Sequence, residues 1–179
     1  MTCIVAIKHK DSVLVGGDSA ACRQDEITIV SEPKVFKNGQ FVIGYTGSFR
    51  IGQLLQYSFK PPRLNNNENI REFMINKFVS RLQVCLRENE AIKPTSVQTS
   101  CEFIVAVKNE IYTVGVDYSV TGVASEFAAV GSGALYALGS LYSTSHLKPS
   151  DRATVALKCA SHFSPWVREP FTFISTKSR

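Results

Sequence analysis

The chain of 179 residues carries 20 Lys and Arg against 15 Asp and Glu, a net charge of +5, and 44% of it is hydrophobic. This length and composition predict one globular domain over residues 1–179 with its own core. The basic residues form no dense run, which argues against a nucleic-acid partner. No apolar stretch reaches the roughly 18–20 residues of a membrane-spanning helix, so we expect no membrane partner either.

The cysteines are odd in number and scattered along the chain: Cys3, Cys22, Cys85, Cys101 and Cys159. Without a CxxC pair they do not predict a zinc ribbon, a thioredoxin motif or a disulfide framework. The three histidines lack the spacing of metal ligands. Reduced thiols, and an N-terminal stretch that does not resemble a signal peptide, predict a cytoplasmic protein.

The first part of the chain is predicted to form strands. Residues 2–8 and 12–18 are apolar on both faces, which is typical of strands covered on both sides. Shorter strands are predicted at Glu26–Val30 and Lys34–Phe36. Residues 40–46 form another strand after an Asn-Gly pair that favours a hairpin turn.

Helical periodicity follows. Ser48 is a good N-cap for a helix that continues to about Tyr57. After a loop rich in proline and asparagine, a long helix is predicted from apolar residues at three- and four-residue spacings: Ile70, Phe73, Met74, Phe78, Leu82, Cys85 and Leu86.

The second half repeats this order of strands and then helices. Strands are predicted at 101–108, 110–116 and 127–132, followed by a helix at 134–144. A last helix begins after Pro149, with Ser150 or Asp151 as its cap, and residues 171–175 close the chain as a strand. Few strands are followed by a helix, as a parallel α/β sheet would require. We therefore expect two mostly antiparallel sheets stacked face to face with helices outside them.

Common catalytic motifs are missing from the sequence. There is no GxxxxGK[ST] phosphate-binding loop, no GxSxG nucleophile elbow and no HExxH zinc motif. The carboxylates are scattered and suggest no pair for glycoside hydrolysis.

A set of polar residues near the N-terminus carries a different chemistry. Met1 is followed by the small residue Thr2, and methionine is normally removed from such an N-terminus. A free N-terminal threonine combines nucleophile and base, because its own α-amine accepts the hydroxyl proton. A lysine ammonium beside that amine lowers the amine pKa by like-charge repulsion, and an aspartate holds the lysine in place. Asp18 and Lys34 supply these two residue types.

Several stretches at matching separations make the chain resemble the proteasome β-type family of N-terminal nucleophile (Ntn) hydrolases, including HslV-like peptidases. These stretches are TCIVAIK, VGGDSA, PKVFKNGQFVIGYTGS and AAVGSGALYALGS. The resemblance extends over nearly the whole length. It implies an α+β fold, the four-layer αββα sandwich, which agrees with the architecture expected from periodicity.

The resemblance also implies roles for individual residues. Thr2 matches the family nucleophile, Lys34 the lysine beside it, and Asp18 the aspartate that orients this lysine. Gly47 matches the glycine whose N–H forms the oxyanion hole, and Ser132 a serine near the threonine amine. Each of these residues alone is an ordinary turn, cap or surface residue, so the argument rests on their joint spacing.

Four further residues need separate treatment. Tyr45 and Phe49 flank Gly47 where the family has its substrate pocket, which implies a narrowed or shallow pocket. An aspartate that is common in the last long helix of the family is replaced here, with His162 as the best match. His162 either supports the amine network or is simply a helix-end histidine. With Met1 attached, Thr2 would have no free amine.

The resemblance implies a threonine endopeptidase that acts on peptides or unfolded polypeptides without metal or cofactor. It also implies a self-compartmentalising homo-oligomer, with an ATPase unfoldase as a further partner. Two alternatives stay open at this point. An inactive structural subunit would keep the fold without the chemistry, and an Ntn amidase would cleave small-molecule amides.

Overall fold

The structure is a computed structural model that describes residues 2–23, 26–93, 95–96 and 98–177. Its strands are β1 (Ile4–His9), β2 (Ser12–Gly17), β3 (Ala20–Arg23), β4 (Glu26–Ile29), β5 (Val35–Asn38), β6 (Phe41–Tyr45), β7 (Phe103–Val107), β8 (Glu110–Val114), β9 (Val120–Gly122), β10 (Phe127–Val130) and β11 (Thr172–Ser175). Its helices are α1 (Phe49–Gln53), α2 (Ile70–Phe73), α3 (Val79–Glu88), α4 (Ala134–Ser143) and α5 (Pro149–Phe163). Two π-helical turns, Leu54–Ser58 and Met74–Phe78, extend α1 and join α2 to α3.

The strands form two antiparallel sheets and a separate ribbon. One sheet has the order β10-β1-β2-β11, and the other has the order β5-β6-β7-β8-β9. Strands β3 and β4 pair only with each other within the described residues. Among the helices described, none is long and apolar enough to span a membrane.

Three apolar clusters separate four layers. Between the sheets lie small and β-branched side chains such as Ile4, Val15, Val42 and Ile104, all fully buried. Between the five-stranded sheet and helices α1–α3 lies a larger cluster rich in phenylalanine. Alanines and leucines of α4 and α5 cover the other face of the four-stranded sheet. Strands β1 and β2 are therefore apolar on both faces, as expected for strands between two covered faces.

The predicted elements lie close to the observed ones, with three differences. Strands β3 and β9 were not predicted, because short strands with exposed residues lack an apolar alternation. Helix α5 begins at Pro149 with Lys148 at the N-cap, so neither Ser150 nor Asp151 caps it. Proline suits the first turn because its fixed φ is helical and its missing N–H has no helical partner there.

Antiparallel pairing brings several chain segments to one end of the sandwich. Ile4, which begins β1, pairs with Gly17 at the end of β2 and with Val130 at the end of β10. In the other sheet, Val35 begins β5 and pairs with Gly44, one residue before β6 ends. The residues just outside these strand ends are Thr2, Asp18, Lys34, Gly47 and Ser132.

Candidate active site

Lys34 lies at the centre of a buried polar cluster formed by these strand ends. Its Nζ donates to Thr2 Oγ1 at 3.0 Å, to Asp18 Oδ1 at 3.0 Å and to the Ala20 carbonyl at 2.6 Å. Thr2, Asp18 and Lys34 are 3%, 1% and 1% exposed, respectively. Three acceptors match the three N–H groups of an ammonium, so the Lys34 charge is held in a fixed position against the threonine hydroxyl.

Burial of Lys34 disfavours the charged form of its side chain. Desolvation lowers the pKa of Lys34 below its ordinary value, while the charge of Asp18 and its hydrogen bond oppose this shift. The Lys34 Nζ also lies over the face of the Phe49 ring, 5.9 Å from its centroid. Bulk water would screen the charge of an exposed ammonium. Here a single carboxylate and an aromatic face surround the ammonium, so its charge still acts on nearby groups.

Asp18 is oriented by backbone groups as well as by Lys34. Its Oδ1 also accepts from the Cys3 N–H at 3.0 Å, and its Oδ2 accepts from the N–H groups of Ala20 at 2.9 Å and Arg168 at 3.4 Å. Four donors satisfy the hydrogen-bond acceptor capacity of an ionised carboxylate. The side chain is therefore fixed by the fold, and in turn fixes Lys34.

The Thr2 main chain is held by the segment between β10 and α4. The Thr2 nitrogen donates to Ser132 Oγ at 3.2 Å, and this hydroxyl lies 3.3 Å from the Thr2 carbonyl, which also accepts from the Gly133 N–H at 3.3 Å. Gly131 has φ +93°, and a Cβ there would lie 2.3 Å from the Thr2 carbonyl oxygen. Only glycine allows this close approach.

The turn between β6 and α1 presents a backbone donor. The neighbours of Gly47 are paired: Thr46 N–H donates to the Glu102 carbonyl at 2.9 Å, and Ser48 N–H donates to Cys101 Sγ at 3.1 Å. Gly47 has φ +84° and is exposed, and its own N–H donates to no group among the described residues. This N–H is therefore available to an external oxygen, as an oxyanion hole requires.

Tyr45 and Phe49 lie together beside this turn. Their rings form a T-shaped pair with centroids 6.2 Å apart, and the buried Tyr45 ring occupies the space above Gly52 of α1. Both residues line a cavity of about 390 Å³, together with Glu32 and Arg50 among others. The cavity is next to the candidate site, and its use as a substrate pocket stays a prediction.

The side chain of His162 lies outside the cluster, and Cys3 takes part in it through its main chain. His162, in the last turn of α5, is exposed, and its ring contacts Phe163 with centroids 4.8 Å apart. Among the described residues His162 forms no hydrogen bond with Ser132, and its exposed place at the end of α5 fits the helix-end alternative. The thiol of Cys3 is fully buried, and burial raises its pKa to about 12. Met1, whose removal the predicted chemistry needs, lies outside the described residues.

The structure adds residues that the sequence reasoning missed. Ala20 and Arg168 contribute only backbone atoms to the Lys34 and Asp18 network, so their side chains carry no signal of this role. Gly131 is signalled by its place in the predicted strand 127–132, since an isolated glycine in a strand pattern suggests a close backbone approach. Across the described residues, no group of three or more His, Cys, Asp or Glu side chains is placed to hold a metal ion.

Comparison with known proteins identifies the family of this chain. The family model of proteasome subunits matches residues 1–162. The chain belongs to the proteasome-subunit family. It is also 27% identical over 180 residues to the ATP-dependent protease subunit HslV of Caldicellulosiruptor saccharolyticus, with 97% of each protein covered. The family resemblance stated from the sequence is therefore confirmed.

Solved structures show the same fold. BPH of Thiobacillus denitrificans in complex with epoxomicin superposes on this proteasome-family chain with a TM-score of 0.81, 19% identity and 97% coverage of both chains. HslV of Trypanosoma brucei gives a TM-score of 0.68 at 18% identity, covering 97% of this chain and 98% of that one. The predicted four-layer αββα sandwich of the Ntn type is confirmed.

Proposed function

We propose that this chain is an N-terminal threonine peptidase in which Thr2, after removal of Met1, is the nucleophile. The observation that carries the proposal is the contact of Lys34 Nζ with Thr2 Oγ1 at 3.0 Å inside a buried network closed by Asp18. Membership of the proteasome-subunit family supports peptide-bond hydrolysis as the reaction.

The reaction begins at the Thr2 hydroxyl. Its Oγ attacks the scissile carbonyl carbon while the Thr2 α-amine accepts the hydroxyl proton. An unperturbed α-amine has a pKa of roughly 8, which suits a general base near neutral pH. The Lys34 ammonium lowers that pKa by like-charge repulsion and stabilises the developing alkoxide at Oγ, and Asp18 keeps Lys34 in position.

The charge on the former carbonyl oxygen is stabilised by the Gly47 N–H. The protonated amine then gives its proton to the leaving peptide nitrogen, the C–N bond breaks, and an acyl-enzyme ester remains on Thr2. Water attacks this ester with the amine again as base, which releases the acid product and restores the hydroxyl. Ser132 Oγ, 3.2 Å from the Thr2 nitrogen, orients the amine through both half-reactions.

The substrates we propose are peptides and unfolded polypeptides, because an extended chain can enter the open side of Gly47. The cavity lined by Tyr45 and Phe49 would accept one substrate side chain. We infer that the Tyr45 ring, which packs against Gly52, limits the depth of this cavity and favours side chains of modest size. None of these steps uses a metal ion or an organic cofactor.

Assembly into a homo-oligomer is part of the proposal. A structure of a Pseudomonas aeruginosa relative is described as a helical assembly of the Anbu complex, with a TM-score of 0.67. The HslV relative is named as a subunit of an ATP-dependent protease. We infer an oligomer that encloses its sites, and an ATPase unfoldase as its partner.

Intact mass spectrometry with an epoxyketone such as epoxomicin tests the proposal. We expect the purified protein to lack one methionine mass and to gain a single adduct, which Thr2→Ala removes. The matched control is Thr121→Ala, at an exposed threonine of β9, which should react like wild type. Freshly prepared native protein that retains Met1 and forms no adduct would establish the inactive subunit instead. Turnover of simple amides without turnover of fluorogenic peptides would establish an amidase.

A further inference from the structure

The last turn of α5 and the loop that follows it direct three backbone carbonyls toward one cationic nitrogen. Arg168 Nη1 lies 3.4 Å from the Ser161 carbonyl oxygen, 3.0 Å from that of Ser164 and 2.7 Å from that of Val167. The side chain of Ser161 reinforces this closure by donating to the Val167 carbonyl at 2.9 Å. The loop is thus folded around the guanidinium group of its own residue Arg168.

Electrostatics explains why a cation is needed there. Ser161 belongs to the last turn of α5, where carbonyl groups lack helical partners and the helix dipole is negative. One nitrogen with two hydrogens serves three acceptors, so the positive charge as well as the hydrogen bonds holds the carbonyls together. Without that charge the three carbonyl dipoles would repel one another, and the loop would open.

The same residue reaches the candidate active site through its main chain. The Arg168 N–H donates to Asp18 Oδ2 at 3.4 Å, and its carbonyl accepts from the Ser19 N–H at 3.0 Å. The Ser19 hydroxyl donates further along the loop, to the Pro170 carbonyl at 2.6 Å. The loop therefore lies against residues 18–19. Its position determines where the Arg168 N–H lies, which is one of the four donors to the Asp18 carboxylate.

We propose that Arg168 is a positioning residue whose guanidinium acts as a tethered cation, folding the loop so that its own N–H fixes Asp18 and thereby Lys34. The guanidinium hydrogen bonds all go to backbone carbonyls, so we assign its effect on Lys34 to the path through the Arg168 N–H and Asp18. The catalytic consequence rests on the proposed threonine peptidase function, whereas the folding of the loop does not.

Arg168→Met keeps the length of the side chain and removes its charge. We expect kcat for each epoxomicin-titratable site to fall about tenfold, the effect of one hydrogen bond to a charged group, with KM within twofold of wild type. Arg168→Lys should recover part of the loss, because an ammonium can still approach the carbonyls. Arg81→Met, at an exposed arginine of α3, is the control and should behave like wild type.

A purely structural role gives a different result. In that case fewer sites would titrate with epoxomicin while kcat for each titrated site stayed unchanged, and the proposal would be overturned. Guanidinium ion at millimolar concentration should restore kcat to Arg168→Ala, whose truncated side chain leaves room for it, and should not accelerate Arg81→Ala. Failure of this rescue, together with full activity of Arg168→Met, would also overturn the proposal.

Hydrogen exchange separates this inference from the proposed function. We expect the amides of residues 164, 166–169 and 18–20 to exchange faster in Arg168→Met than in wild type, whether or not the protein cleaves peptides. Unchanged exchange in both segments would refute the positioning role. A wild-type protein that forms no Thr2 adduct yet loses protection in Arg168→Met would refute the peptidase and keep the role of the loop.

Discussion

Gly47→Ala tests the proposed oxyanion donor in the turn between β6 and α1. An alanine there would have an unfavourable φ and its Cβ would clash with a neighbouring carbonyl. Gly47 has φ +84°, a left-handed conformation that costs an alanine about 1–2 kcal/mol. A Cβ at this position would lie 2.2 Å from the Ser100 carbonyl oxygen, which is backbone and cannot rotate away. The turn would have to move by about 1 Å, and a displacement of this size at a catalytic group can cost about 10²-fold in rate.

We therefore expect Gly47→Ala to lower kcat by about 10²–10³-fold, the usual cost of losing one oxyanion donor, with a smaller change in KM. The assay is turnover of a fluorogenic peptide for each epoxomicin-titrated site, alongside denaturant unfolding. The matched control is Gly139→Ala in α4, where a Cβ would meet nothing within 4 Å. It should keep wild-type kcat and gain about 0.5–1 kcal/mol from helix propensity. A Gly47→Ala enzyme within threefold of wild type would refute the assigned donor.

Three further predictions concern buried titratable groups. Lys34→Met should reduce peptide turnover by about 10²–10⁴-fold with the particle size by light scattering unchanged, and Lys60→Met at an exposed lysine should not; Lys34→Met activity within twofold of wild type would contradict this. Because burial lowers the pKa of Lys34, the unfolded chain binds more protons than the folded chain just below pH ~10.4. In that window the unfolding free energy of wild type should therefore rise with pH relative to that of Lys34→Met, as measured by denaturant unfolding at several pH values. A difference between the two proteins that does not change with pH would contradict the lowered pKa of Lys34. The Cys3 thiol, with its pKa raised to about 12, should resist alkylation at pH 8 until the protein unfolds, whereas rapid labelling of native protein would contradict its burial.

The layer structure could be predicted from the sequence because periodicity records burial. Strands β1 and β2 are apolar on both faces, and only a strand between another sheet and a helix layer has this property. The α2–α3 region shows the three- and four-residue spacing of a helix packed on one side. In contrast, β3 and β9 are short and partly exposed, so their pairing depends on neighbours that a local pattern does not reveal.

The part of the candidate site that consists of side-chain groups could be predicted from the sequence. Thr2, Asp18 and Lys34 have side chains with the expected chemistry, and the structure brings them together. The donors from Ala20 and Arg168 are backbone groups, which nearly every residue type carries, so a sequence motif does not identify them. The role considered for His162 came from a single aligned position, and helix geometry directs that side chain to solvent. The catalytic roles themselves stay predictions.

The energetics of the Lys34–Asp18 pair favour an enzyme over an inactive subunit. Both side chains are nearly inaccessible, at 1% and 0% exposure, and moving two charges out of water costs several kcal/mol for each ion. Apolar residues of similar volume can often replace such a pair without loss of stability. A scaffold would therefore gain little from this pair, whereas a nucleophilic Thr2 needs a fixed cation beside its hydroxyl and amine. The pair is best explained by the chemistry of a free Thr2 amine, which exists only after the Met1–Thr2 bond is cleaved.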